Sequence, residues 1–327
     1  MDNTITTADA AAAQEGLPAE PLQAPRNAQI DEALAFEPDS CALSDAVARC
    51  DQISACAGQI GREAIESMVS CLGDPDPMVR WEASRALAES AHHLQRPAHL
   101  GDVLTMGATD AMSLSELLGV MREGLMSPDA TLRASYTEAL ARWPHPVAVE
   151  LLEQSLQDDS ADVRAAAARG LGQLGALEST ERLIAALEDA SLWVRRSAAD
   201  ALGAIADRRA TPALISMAQE GPALTRTAAL AALGHLPGRE ARATLEAMLT
   251  DENGEIRWHA ARSLETAGTS TTLSALKGLV GDNYSLFGRT VSEVALAAMD
   301  AIGQREQGVW HALRVAVLRL IARFRRR

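Results

Sequence analysis

Lysine occurs once in this chain, at Lys277, beside many arginines, and aromatic residues make up only 3% of 327 positions. The lysine scarcity points to a GC-rich bacterial genome. The aromatic scarcity means that a chain with 47% hydrophobic content builds its core from alanine and leucine, so stability must come from many small contacts. No run of 18 apolar residues is present, which excludes a bilayer-spanning helix. The start of the chain has no basic segment leading into an apolar stretch, so no secretion signal is expected. Cysteine is confined to Cys41, Cys50, Cys56 and Cys71, without any C-x-x-C pair. Cys56 and Cys71 fall in apolar slots, where cysteine acts as a small hydrophobe, and an unpaired set suits a reducing, cytoplasmic setting. Nucleophile elbow, phosphate loop and paired-carboxylate patterns are all missing.

What is abundant is regularity. Arg133, Arg164, Arg195, Arg226 and Arg257 are spaced by 31 residues, and Leu140, Leu171, Leu202, Leu233 and Leu264 each follow seven positions later. The pair recurs upstream as Arg80 and Leu87 and, one residue out of phase, downstream as Arg289 and Leu296. A period in this range on helical sequence predicts a solenoid whose units bury their apolar faces only against neighbours. Within residues 158–188, Asp158 precedes an alanine-rich helix that places Val163, Ala167, Gly170, Leu171 and Leu174 on one face. Gly175 closes it, and a second helix carries Leu183, Ile184 and Leu187 inward. Alanine three positions after the arginine (Ala83, Ala167, Ala198, Ala229, Ala260) lets adjacent helices approach closely. The expected fold is therefore all-α, a right-handed solenoid of about seven or eight two-helix repeats.

The motif D-(x)5-R-(x)2-A-(x)2-A-L, near-intact several times across about residues 60–303, resembles the HEAT-like repeats named after phycobiliprotein lyases. The resemblance implies a ladder in which an aspartate and the arginine six residues later tie each repeat to the next. The pairs so implied are Asp74 with Arg80, Asp158 with Arg164, Asp189 with Arg195 and Asp251 with Arg257, plus the variant Glu220 with Arg226. Ser127 with Arg133 lacks the carboxylate, and Asp282 with Arg289 is one residue too long, so those two junctions are expected to be weaker. Some relatives help attach bilin chromophores, which makes a lyase-type assembly factor one implied function. Deoxyhypusine hydroxylase, a di-iron enzyme on this fold, takes its ligands from His-Glu dipeptides. None of the seven histidines here is followed by glutamate, so that activity is set aside.

Stepping 31 residues back from Arg80 gives Arg49 and then Cys56 in the leucine slot, a degenerate first repeat. Residues 1–29 lack periodicity and read as a disordered tail, with the solenoid over 30–303 and a separate C-terminal helix over 304–327. The 53-residue gap from Arg80 to Arg133 holds an insertion at about residues 92–113, either functional or a tolerated loop. His92, His93 and His99 lie in it. Neighbouring helical positions diverge by about 100°, which argues against a metal site, and no cofactor is expected.

Net charge is −14, but residues 309–327 hold six arginines and no acid, leaving 24 basic against 44 acidic groups in residues 1–308. An acidic body argues against nucleic acid as partner. A protein partner is expected instead, gripped on a concave face by positions one and five after each arginine. That set singles out Trp81 with Arg85, Trp258 with Arg262, and Arg196 between them, because tryptophan and arginine dominate binding hot spots. The alternative is that each tryptophan folds across its neighbour to fill a gap. On the C-terminal segment, Trp310, Leu313, Val317, Leu320, Ile321 and Phe324 share one face, with Arg319 and Arg323 opposite and Arg314 at the edge. Such a helix caps the last repeat, lies on an anionic membrane at the inner face, or docks on an acidic partner.

Overall fold

The computed structural model describes residues 40–95 and 111–324, and side chains over 45–95 and 111–308. The expected tail at 1–29 lies outside these residues, as do the centre of the insertion and the side chains of residues 309–327. The chain divides into two compact units, Met1–Asp45 and Ala46–Arg327, and the second carries the repeats.

Arginine-bearing helices alternate with shorter ones. The former are α1 (Ser40–Cys56), α3 (Pro77–Gln95), α5 (Ala130–Leu140), α7 (Ala161–Leu174), α9 (Leu192–Ile205), α11 (Ala223–His235), α13 (Gly254–Ala267) and the closing α15 (Val291–Phe324). Between them run α2 (Arg62–Ser70), α4 (Leu114–Leu125), α6 (Pro146–Ser155), α8 (Thr180–Ala186), α10 (Thr211–Glu220), α12 (Arg239–Ala247) and α14 (Leu273–Lys277). From α3 onward each arginine helix packs on the next, and each shorter helix packs against the arginine helix that follows it. The result is a two-layered α-solenoid with one continuous core. Leu87, Leu140, Leu171, Leu202, Leu233 and Leu264 are all fully buried in it, as are the five alanines three positions after the arginines.

The closest approach between arginine helices comes further along, at glycines. A Cβ on Gly172 would lie 2.6 Å from the Cα of Ala201, and one on Gly203 would lie 2.8 Å from the Cα of Ala232. Two of the arginine helices stop where the chain turns left-handed. Gly175 ends α7 at φ +63°, and Ala206, 31 residues on, ends α9 at φ +57°.

Three expectations change here. First, α3 runs on to Gln95, and Ala111 already pairs as an antiparallel bridge with Gly61, so residues 92–95 and 111–113 belong to the framework. Second, the last repeat is shifted by four residues, not one. Asp251 precedes the buried Ile256 by five positions, whereas Asp282 precedes the equivalent buried Val291 by nine. The extra residues form a two-residue hairpin, Ser285–Leu286 against Arg289–Thr290, turning through Phe287 and Gly288 at φ +51° and +75°. Leu296 consequently leaves the leucine slot and is 47% exposed, while Val294, Ala295, Ala298 and Ile302 face the core. Third, α15 continues without a break through 304, so the C-terminal segment extends the last repeat helix.

Candidate functional site

The ladder is the most regular polar feature, and its rungs connect differently from the expected pairs. Arg49, Arg133, Arg164, Arg226 and Arg257 each ion-pair not with a residue six positions before them but with the aspartate 25 residues after them, in the next repeat. Arg133 meets Asp158 through Nε and Nη2, both at 2.8 Å, and Arg164 meets Asp189 at 2.8 and 2.9 Å. Arg49 does the same to Asp74 at 2.9 and 3.1 Å, which makes α1 the first ladder helix. Arg257 reaches Asp282 at 2.7 Å, and Arg226 pairs with Asp251. The residue six positions earlier contributes its backbone carbonyl to Arg133, Arg164 and Arg257, as Asp158 does to Arg164 at 2.8 Å, whereas Arg226 donates to the carbonyl of Ala218.

Each aspartate also folds back on its own loop, accepting the amide N–H two residues on: Asp158 from Ser160 and Asp189 from Ser191, both at 2.8 Å. One carboxylate therefore closes a turn and receives the previous repeat. Hydrogen bonding from Arg133 and Arg164 holds Asp158 and Asp189 below the usual carboxylate range.

The expected weak points move accordingly. Arg133 is fully bonded, with Ser127 lending a carbonyl at 2.8 Å. What Ser127 fails to supply is a carboxylate for Arg80, which among the described residues bonds only the carbonyls of Asp74 and Pro75. Asp282 is engaged by Arg257, and Arg289 is no ladder residue. A second rung is broken at Arg195. Its partner position is Glu220, and two residues beyond stands Pro222, which has no N–H to fix the carboxylate. The Arg195 Nε is buried without a hydrogen bond.

Positions one, five and nine after the ladder arginine form a ridge across the stacked helices. Arg85 lies 3.4 Å from Ser54 in the preceding repeat, and Arg169 lies 3.7 Å from Glu138, so position-five side chains touch from repeat to repeat. Asp200 sits in this row. Its side chain is half open to water, yet desolvation raises its pKa.

The five residues expected to line this face separate into different environments. Trp81 is 48% exposed, with the Arg142 guanidinium carbon 5.3 Å from its ring centre. Arg85 is clasped by Glu82 at 2.5 Å and Glu89 at 3.2 Å. Arg196 lies 3.8 Å from Asp200 and over Trp193, and Arg262 pairs with Glu265. Trp258 does not line the face as an anchor. It is 8% exposed, donates from Nε1 to the Arg289 carbonyl at 3.2 Å, and carries the Phe287 ring edge-on at 5.8 Å. The hairpin covers it.

Two residues escaped the sequence reading. Trp193, 63% exposed, stands two positions before its ladder arginine. Arg142 occupies position nine, which continues the stripe of positions one and five at helical spacing. It lines two adjoining cavities. One, of about 120 Å³, is shared with Trp81, Glu138, Arg169 and Gln173, and the other, of about 400 Å³, with Arg85, Ala88, Glu89, His92 and Pro144. Among the described residues no three His, Cys, Asp or Glu side chains are grouped to hold a metal ion. Cys50, Cys56 and Cys71 are free thiols packed against the core.

Stacked helix pairs, a single running core and rungs from repeat to repeat define a helical-repeat solenoid. A sequence model of HEAT repeats matches residues 114–183, 149–233 and 221–297, a stretch from 114 to 297 that exceeds half of the 327 residues. The chain belongs to the HEAT-repeat family. Solved structures similar to it include YibA of Escherichia coli, at 18% identity and TM-score 0.46 over 73% of this chain and 92% of that one. The CpcE–CpcF complex of phycocyanin lyase from a Nostoc species shares 20% identity, with TM-score 0.39 over 73% and 94%. Human deoxyhypusine hydroxylase shares 19%, with TM-score 0.34 over 80% and 96%. These are likenesses of backbone. No curated protein matches the sequence.

Proposed function

We propose that this protein is a non-catalytic scaffold that holds a protein partner against the ridge of positions one, five and nine. The observation carrying this reading is Trp81: a large aromatic ring left half exposed, oriented by Arg142, beside two cavities. Aromatic and arginine side chains in such settings supply most of the energy of protein interfaces. The ladder arginines are spent on structure, so the ridge is what remains for recognition. Affinity purification with wild type and with Trp81→Ala tests the reading. A partner captured by wild type should bind Trp81→Ala about 30-fold more weakly, roughly 2 kcal/mol. A partner retained undiminished by that variant sinks it.

A second reading concerns the C-terminal segment. The backbone of α15 stays helical through Phe324, which gives the sequence from Trp310 to Phe324 the periodicity that sorts its apolar residues from its arginines. Such a helix would bring the scaffold to an anionic membrane surface. No helix among the described residues is long and apolar enough to cross a membrane. Full-length protein is expected to sediment with phosphatidylserine vesicles at low salt and to be released as salt screens the arginines. A chain that ignores those vesicles at low salt removes this reading.

A further inference from the structure

We propose that Arg142, held on Trp81, is the receptor for a partner's carboxylate, and that the segment it selects carries an acidic residue followed by an apolar one. This rests on the scaffold reading and names the chemistry of the partner. The first support is charge accounting along the ridge. Arg85 is neutralised by Glu82 and Glu89, Arg169 by Glu138, Arg196 by Asp200 and Arg262 by Glu265. Arg142 has no carboxylate within ion-pair distance among the described residues, on a chain that carries 44 acidic residues. Its Nε is shielded from water and has no hydrogen-bond partner, so the guanidinium's charge is met neither by a protein acceptor nor by full hydration.

The second support is orientation. With its guanidinium carbon 5.3 Å from the centre of the Trp81 ring, Arg142 is already placed beside the cavities, and a guanidinium meets a planar carboxylate through two parallel hydrogen bonds. A polyanion is disfavoured, because Glu82, Glu89 and Glu138 stand close by and the ridge holds a single uncompensated positive charge. The third support is space. Arg142 lines both cavities, so a side chain bonded to it leaves the larger one, with Ala88 and Pro144 in its wall, for an apolar neighbour one or two residues along an extended peptide.

The test uses full-length protein labelled with ¹⁵N at tryptophan, the Trp81 indole resonance being assigned from Trp81→Phe. Capped peptides Gly-Ser-Glu-Leu-Ser-Gly and Gly-Ser-Gln-Leu-Ser-Gly are titrated in turn. The Glu peptide should shift that resonance, with the Gln peptide at least about tenfold weaker. Arg142→Gln should abolish the difference, and Arg142→Lys, which keeps the charge but not the fork, should retain part of it. The proposal is overturned if both peptides shift Trp81 equally, if neither does at millimolar concentration, or if a folded Arg142→Gln still prefers the acid. Trp81→Ala losing the captured partner while Arg142→Gln keeps it would leave the scaffold standing and remove only the carboxylate.

Discussion

Arg164→Ala is expected to cost about 3 kcal/mol of stability, and Arg195→Ala, one repeat further on, about 1 kcal/mol or less. The asymmetry follows from what each removal strands. Without Arg164, Asp189 keeps its loop N–H bond from Ser191 but loses two charge-assisted bonds in a mostly buried setting, and the carbonyls of Asp158 and Asp159 lose their donor. Without Arg195 nothing comparable is lost, because its Nε already has no partner and Glu220 is not fixed to receive it. In a solenoid the loss acts on one junction. Thermal melts of the two variants, with hydrogen exchange over α7 to α9, measure the difference. Equal losses would mean that the rungs are decorative.

Acid should act on the same rungs. Asp158, Asp189 and Asp282 are all held below the usual carboxylate range, in each case first by the hydrogen bond from the arginine one repeat back. A carboxyl with a depressed folded-state pKa contributes fully above its unfolded value, about 3.9, and that contribution disappears as pH falls through the folded value. Wild type should therefore lose stability below about pH 4 more steeply than Arg164→Ala, which has one such rung fewer.

The misassigned rungs show where a repeat sequence is legible and where it is not. Leu171 and Ala167 could be placed in the core because periodicity alone dictates which residues face a neighbour. Ladder pairing could not be read this way. Six positions back and 25 positions forward sum to the 31-residue period, so an intact array offers every arginine both aspartates at once. Only a flaw separates them. Arg133 has serine behind it and Asp158 ahead, and its full bonding settles the direction. Ridge residues were legible as a stripe but not in their states, since exposure at position one depends on what the next repeat lays over it. A two-residue hairpin, disguised in sequence as an arginine slightly out of phase, decides that for Trp258.

The two tryptophans at position one should thus respond oppositely to truncation. Trp258→Ala removes a ring that is almost wholly covered, breaks the Nε1 bond to the Arg289 carbonyl and leaves Phe287 without the surface it stacks on. A loss of about 4 kcal/mol is expected, combining lost burial with a cavity that the hairpin cannot fill while its Phe-Gly turn is held at positive φ. Phe287 is 82% exposed, so the hairpin has little else beneath its tip to keep it closed. Trp81→Ala deletes a half-exposed ring and should change stability by no more than about 1 kcal/mol, since surface truncations away from the core rarely do more. Trp258→Phe divides the larger effect: it keeps most of the apolar volume and forfeits one hydrogen bond, for about 1 kcal/mol. Denaturant melts of the three variants decide the matter. Comparable losses for Trp81→Ala and Trp258→Ala would return Trp81 to the packing between repeats and take the anchor away from the ridge.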